Sequence, residues 1–186
     1  NSIRTASELD SKISDVNVDG ESEASTNEDT ATLLNSFFCS QSSIDDFNHH
    51  LPNLLTTDRS ISEIDISVQD VKDAINLIDA SKDSGPDLIS PKLIRQGSDI
   101  LAGPLSTYFN RLLIDFVFPS SWKFANVTPI YKKSDPSKRS NYRPVSILSC
   151  LGKLIGRCIH THLYNYIVTN RFISPYQSGC MKGDST

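Results

Sequence analysis

The spacing of apolar positions along this chain predicts helices over much of its length. From Val68 to Ile78 they repeat at three- and four-residue intervals, behind Ser67 and with Asp70 placed as in a capping box. The longest apolar stripe runs from Cys150 to Asn170. Helices are therefore predicted over residues 30–40, 67–81, 90–97, from about 98 or 101 to 115, and 150–170.

Two other stretches have the composition of β-strands. Ala125–Tyr131 and Tyr142–Leu148 contain the β-branched and aromatic residues that strands favour, and the residues between them, 132–141, are polar. We expect a β-hairpin with a long tip. Ser84–Asp87, which reads Ser-Gly-Pro-Asp, is predicted to be a turn. The expected fold class is α+β and mostly helical.

Composition divides the chain into three parts. Residues 1–30 have too few apolar side chains to offset the entropy of ordering and are predicted to be a disordered acidic tail. Residues 31–83 are predicted to be a linker and helical region, in which the part up to Ser60 is expected to have low functional content, and residues 84–186 the main domain. Neither end has the composition change typical of a domain edge, so we expect the chain to be cut from a longer one.

The net charge of −4 hides a strong asymmetry. Residues 1–87 carry 5 basic and 18 acidic side chains, net −13, whereas residues 88–186 carry 13 basic and 4 acidic, net +9. An acidic leader before a basic body is expected of a protein that meets polyanions through its second half.

The cysteines and apolar runs indicate an intracellular protein, nuclear or cytoplasmic and not secreted. The four cysteines form no Cys-x-x-Cys pair and are predicted to be reduced thiols. The longest apolar stretch, Leu112–Phe118, is interrupted by Asp115 and is too short to span a bilayer, so no membrane association is expected. A zinc site is not expected, because alternate positions on a helix point apart. Its possible ligands would be Cys150, Cys158, His160 and His162.

The predicted hairpin concentrates positive charge. Ammonium groups and a guanidinium fork suit the phosphates of a nucleotide or of a nucleic-acid backbone. Lysine and arginine are also common in solvated turns, so composition alone leaves both interpretations open. The hairpin cations are Lys132, Lys133, Lys138, Arg139 and Arg143.

Several segments, in this order, carry a resemblance to a known family. They read SGPDLISPKLI at 84–94, YFNRLLIDFVFPSSWK at 108–123, NYRPVS at 141–146 and QSGCMKGDST at 177–186. Together they resemble the reverse transcriptases of non-LTR, LINE-like and jockey-like retrotransposons, over about residues 30–186. The resemblance implies an RNA-directed DNA polymerase with a right-hand fold, of which residues 84–186 would be the fingers, with the palm largely absent.

The resemblance also implies roles for individual residues. Lys132, Lys133 and Arg143 match positions expected to contact the phosphates of the incoming nucleotide. Contacts with the template and its backbone are expected from Gln177, Ser178 and Gly179 and from the basic residues Lys138, Arg139, Lys153, Arg157 and Lys182. The implied partners are an RNA template, a DNA primer, a dNTP, and the palm and thumb portion of the same polyprotein.

Catalysis is not expected from this chain alone. Nucleotidyl transfer needs two metal ions held by aspartates, and the resemblance implies that these aspartates lie beyond the Gln-x-Gly segment. No cofactor is therefore expected on this chain, although Mg²⁺ is expected for the complete polymerase. Gly156, Cys180 and Met181 depart from the family pattern. The aspartates after Asp87, none adjacent to another, are Asp99, Asp115, Asp135 and Asp184.

Two other functions stay open: a non-enzymatic nucleic-acid-binding remnant kept for its basic face, and a transcribed remnant without function. Most aromatic residues are predicted to be core rather than base-stacking surface. This set is Tyr108, Phe109, Phe116, Phe118 and Trp122. Tyr142, beside Arg143, is the expected exception.

Overall fold

The computed structural model describes residues 17–18, 22–23, 26–42, 60–61, 63–174, 176–177 and 179. The chain divides into two compact units, Asn1–Leu55 with Asn126–Ile147, and Thr56–Ala125 with Leu148–Thr186. The strands in chain order are β1 (Asn17–Val18), β2 (Ser22–Glu23), β3 (Ala125–Tyr131) and β4 (Tyr142–Leu148). The helices are α1 (Asn27–Gln41), α2 (Val68–Asn76), α3 (Pro91–Gln96), α4 (Ser98–Ile114) and α5 (Cys150–Thr169), with 3-10 turns at Ser120–Lys123 and Arg139–Asn141.

In the first unit, helix α1 begins inside the segment predicted to be disordered. Thr26 Oγ1 accepts a hydrogen bond from the backbone N–H of Asp29, and the Asp29 carboxylate accepts one from the N–H of Thr26, both at 3.1 Å. This capping box starts the helix at Asn27, three residues before the predicted start. Strands β1 and β2 pair antiparallel in the same segment. The rest of the predicted tail lies outside the described residues.

The hairpin has the predicted bounds. Strands β3 and β4 form a two-stranded sheet, and the ten-residue connection between them is too short for a parallel crossover. The backbone N–H of Lys132 donates to Asn141 O at 2.8 Å, closing the loop where the strands end. The prediction of a mostly helical α+β fold with a small hairpin is confirmed for the described residues.

The second unit is built on the packing of α2 against α4 and α5. Phe109 of α4 is fully buried, and Trp122 meets it edge to face with ring centroids 6.2 Å apart. Helix α5 contributes the first half of its predicted stripe, whereas Leu163 and Ile167 in the second half are partly exposed. The core residues are Ile66, Val71, Ala74, Ile75, Ile94, Ala102, Phe109, Leu112, Trp122, Cys150, Leu154, Ile155 and Cys158.

Two polar side chains of α4 hold the segment that leads into α2. Asn110 Oδ1 accepts from the N–H of Ile66 at 2.8 Å, and Asn110 Nδ2 donates to Ile66 O at 3.0 Å. Ser106 Oγ donates to the same carbonyl at 2.7 Å. Because Ile66 is fully buried, these bonds satisfy backbone groups that have lost water. Ser67 then caps α2, and its hydrogen bond together with nearby His162 lowers the pKa of Asp70.

The predicted turn at residues 84–87 packs against the junction between β4 and α5. A Cβ atom on Gly85 would lie 2.6 Å from both Leu148 O and Ser149 N, so only glycine permits this approach. Ser149 Oγ donates to the Asp87 carboxylate at 2.5 Å and accepts from the N–H of Gly152 at 3.3 Å. The buried Ser149 hydroxyl therefore caps α5 and ties it to the turn.

One helix end differs from the sequence prediction. Helix α2 ends at Asn76 rather than near Ser81, since Asp79 accepts from the N–H of Ser81 at 3.0 Å in a local turn that competes with the helix. Helix α4 ends at Ile114, within one residue of its predicted end. Phe116 takes φ 53°, and the N–H of Val117 donates to Leu112 O at 3.0 Å, as in a Schellman motif.

The aromatic prediction is partly wrong. Phe109 and Trp122 are core, as predicted, but Phe116 is 96% exposed. Its position after the helix explains this, because the left-handed backbone turns the side chain away from the α4 stripe. Tyr108 and Phe118 are partly exposed and pack edge to face on Trp122.

Gly85→Ala should destabilise the chain by about 1–3 kcal/mol, because the new methyl group meets backbone atoms that have little freedom to move. The measurement is the urea midpoint, with Ser84→Ala as the neighbouring control, for which a change within about 0.5 kcal/mol is expected. Equal midpoints for the two variants would contradict the close approach.

Gly156→Ala should stabilise the chain by about 1 kcal/mol, because the position is helical and an added Cβ atom meets nothing within 4 Å. Gly152→Ala on the same helix is the matched control. Its Cβ atom would lie 3.3 Å from Trp122 Cβ, so we expect a smaller gain or a loss. Thermal unfolding measures both, and a larger gain at residue 152 would contradict the packing described.

Candidate phosphate-binding arm

The tip of the hairpin is held in shape by its own hydrogen bonds. Asp135 Oδ1 accepts from the N–H and hydroxyl of Ser137 at 3.0 and 2.7 Å. Asn141 Nδ2 donates to Asp135 O and Tyr142 OH to Pro136 O, both at 2.8 Å. The bonds from Ser137 lower the pKa of Asp135, so the carboxylate that organises the loop is ionised at neutral pH. The tip is therefore an ordered turn, held by hydrogen bonds within the loop.

The cations of the arm face solvent. Residues 126–147 carry five basic side chains and one acidic side chain, net +4. Among the residues that the structure describes, no carboxylate forms an ion pair within 4 Å with the exposed members of this set. Their exposure to solvent is what contact with an anionic ligand would require. The exposed members are Lys132, Lys133, Lys138 and Arg143.

Arg139 differs from the other four cations. It is half-buried, and its guanidinium carbon lies 5.0 Å from the ring centroid of Phe37 on helix α1. Sequence reasoning missed Phe37, which it placed in a region of low functional content. The segment NSFFCS at 35–40 holds two adjacent phenylalanines, and no local spacing indicates which of the two rings meets the hairpin.

Tyr142 is not a base-stacking surface. It is 5% exposed, its ring lies 5.6 Å from that of Tyr131, and its hydroxyl is bonded inside the loop. Arg143 is exposed because successive side chains of a strand point to opposite faces. The expectation for Tyr142 is therefore wrong, and its burial is part of what holds the tip.

The other predicted contact residues lie in the second unit or outside the described residues. Lys153 and Arg157 line a cleft of about 210 Å³ beside Leu77 and Ile78, and Arg157 Nη1 donates to Ala74 O at 3.2 Å. The Gln177 side chain donates to Gly179 O at 2.8 Å. Ser178 and Lys182 lie outside the described residues. The structure thus brings the hairpin cations together in one unit, and the contact roles of all these residues stay predictions.

Two buried cysteines are protonated at neutral pH. Burial raises the pKa of Cys150, and it raises the pKa of Cys158 to about 11. In the described part of the chain, no group of three or more His, Cys, Asp or Glu residues is placed to hold a metal ion. Nor does any helix there have the length and apolar character needed to cross a membrane.

The chain is similar to polymerases of mobile elements. It is 31% identical over 115 residues to the RNA-directed DNA polymerase from mobile element jockey of Drosophila melanogaster, and 30% identical over 122 residues to the probable RNA-directed DNA polymerase from transposon BS of the same species. The jockey polymerase of Drosophila funebris is 29% identical over 115 residues. No protein-family model matches the chain.

These relatives confirm the resemblance to the reverse transcriptases of jockey-like, non-LTR retrotransposons. The aligned residues make up 61–65% of this chain but only 13–14% of each relative. What the chain resembles is therefore one segment of such a polymerase.

Proposed function

We propose that this chain is the fingers segment of a retrotransposon reverse transcriptase with a right-hand fold, and that its hairpin arm binds phosphates. The observation that carries the proposal is the ordered hairpin tip with its exposed cations, which form no ion pair with any carboxylate of the described residues. In this proposal Lys132, Lys133 and Arg143 contact the triphosphate of the incoming nucleotide. The similarity to RNA-directed DNA polymerases gives the phosphates a source: an RNA template, a DNA primer and a dNTP.

The chemistry of the arm suits this role. Lysine supplies a mobile point charge with three donors, whereas the arginine guanidinium forms paired, planar hydrogen bonds to phosphate oxygens. A tip already ordered by Asp135 and Tyr142 loses little backbone entropy when a ligand binds. The remaining predicted cations, with Gln177, Ser178 and Gly179, would contact the template and its backbone. These cations are Lys138, Arg139, Lys153, Arg157 and Lys182.

We propose further that these residues do not polymerise by themselves. Asp99 forms an ion pair with Lys72 at 2.8 Å, and Asp115 forms one with Arg111 at 2.7 Å. Asp99 lies in the first turn of helix α4 and Asp115 is its C-cap, so a rise of 1.5 Å per residue separates them by about 24 Å. Two catalytic metal ions lie only about 4 Å apart. Asp135 is bonded to Ser137, and Asp184 lies outside the described residues.

The double variant Lys132→Ala/Lys133→Ala should weaken binding of the full chain to single-stranded RNA. Each phosphate contact contributes about 0.7 to the slope of log affinity against log salt, so the slope should fall by about 1.4. Fluorescence anisotropy with labelled oligouridine across a salt series measures this. In the same assay a dNTP should compete, as expected of a polymerase segment; RNA binding without such competition would favour the non-enzymatic alternative.

The matched control is Lys92→Ala/Lys123→Ala, which removes the same charge from two exposed lysines of the second unit. We expect the slope of this control to stay near that of the unaltered chain. An equal fall in both double variants would show that binding follows net charge and not the arm. Failure of the unaltered chain to bind RNA at low salt would favour a remnant without function.

Purified chain with Mg²⁺, a primed RNA template and labelled dNTPs should give no templated incorporation, because no group of three or more His, Cys, Asp or Glu among the described residues is placed to hold a metal ion. Primer extension resolved on a gel measures this, and a complete reverse transcriptase is the positive control. Template-dependent extension that is lost on chelation of Mg²⁺ would overturn the proposal.

A further inference from the structure

Helix α1 and the hairpin tip share a core within the first unit. Leu34 is 3% exposed and Tyr142 is 5% exposed, and the two pack together with Leu33 and Phe38. The helix is therefore not a separate linker before the arm. Its apolar side chains pack against Tyr142, at the end of the hairpin loop.

Neighbouring rings of this helix have different partners. Phe38 packs into the apolar cluster that contains Tyr142, whereas Phe37 lies under the guanidinium of Arg139, 5.0 Å from ring centroid to Cζ. Arg139 opens the 3-10 turn Arg139–Asn141, and its neighbour Lys138 is exposed. One ring thus supports the fold, and the next holds a cation of the tip.

A contact of this kind is compatible with anion binding. When a guanidinium stacks flat on a ring, the N–H groups at its edge stay open to phosphate oxygens. A side chain already held on a ring loses less rotamer freedom when it binds than a free side chain would. Arg139 is therefore pre-positioned in a way that the exposed lysines are not.

We propose that Phe37 is a positioning residue of the arm, which holds Arg139 for contact with a nucleic-acid backbone phosphate. The inference rests on the proposed function, because it assigns Phe37 a part in the same binding event. It also makes helix α1 part of the binding arm.

The test is a double-mutant cycle in the full chain, with oligouridine as the probe. Phe37→Leu should weaken binding about two- to fivefold, the range of an exposed cation–π contact. In an Arg139→Gln background, Phe37→Leu should cause no further loss. Phe37→Trp should retain the affinity of the unaltered chain, because tryptophan is the best cation–π partner. Phe124→Leu, at an exposed ring of the second unit, should change nothing.

A second readout does not depend on RNA. The Arg139 Nε–Hε resonance should be shifted upfield by the ring current of Phe37, and Phe37→Leu should remove the shift. Absence of the shift would overturn the inference whether or not RNA binds. If the shift is present but Phe37→Leu leaves RNA affinity unchanged, the inference is also overturned. The same holds if Phe37→Leu lowers RNA affinity as much in the Arg139→Gln background as in the unaltered chain.

Failure of the proposed function has a different signature. If the unaltered chain binds no RNA while the Arg139 resonance is still shifted, the contact is real but has no binding event to support. That outcome overturns both the proposed function and the positioning role. The expected result is a shifted resonance, weaker binding in Phe37→Leu, and loss of that effect once Arg139 is removed.

Discussion

The packing of the second unit depends on a glycine, Gly85, which has no side chain. Gly85 lets the 84–87 turn reach the backbone at Leu148 and Ser149, closer than any Cβ atom would permit. This contact brings Asp87 to the Ser149 hydroxyl, which caps α5 at the point where β4 ends. The position of α5 matters because Leu154, Ile155 and Cys158 complete the core. A turn, a strand end and a helix start are therefore joined by one close approach and one buried hydrogen bond.

The motifs that carry the family resemblance are mostly structural. Asn110 satisfies both backbone groups of Ile66, Trp122 packs on Phe109, and Tyr142 is buried under the hairpin tip. The hydrogen bonds, ring contact and burial at these positions restrict which side chains can replace them. The exposed cations have no such constraint from the fold. The role proposed for the cations rests instead on their charge, their exposure and the absence of ion pairs with carboxylates of the described residues.

Local patterns predicted the elements that are themselves local. The bounds of the hairpin strands and the start of α2 at the Ser67 capping box follow from residues only a few positions apart. The prediction failed where competing local bonds decided the outcome. Asp79 and Ser81 end α2 early, and the left-handed backbone at Phe116 turns a ring predicted to be core out into solvent. The spacing of apolar residues continues through such positions, so it does not predict the local bond or the left-handed backbone that occurs there.

The candidate site also has one part that the sequence predicts and one part that it does not. Its charge is visible in the sequence, because lysines and arginines cluster around one predicted turn. Its support is not visible, because Phe37 and Arg139 are about a hundred positions apart and meet only after α1 and the hairpin pack together. A ring that faces a cation and a ring that faces the core look alike in sequence, as Phe37 and Phe38 do. The two rings can be told apart only once the chain is folded. The contact with Arg139 therefore comes from a region whose sequence indicated low functional content.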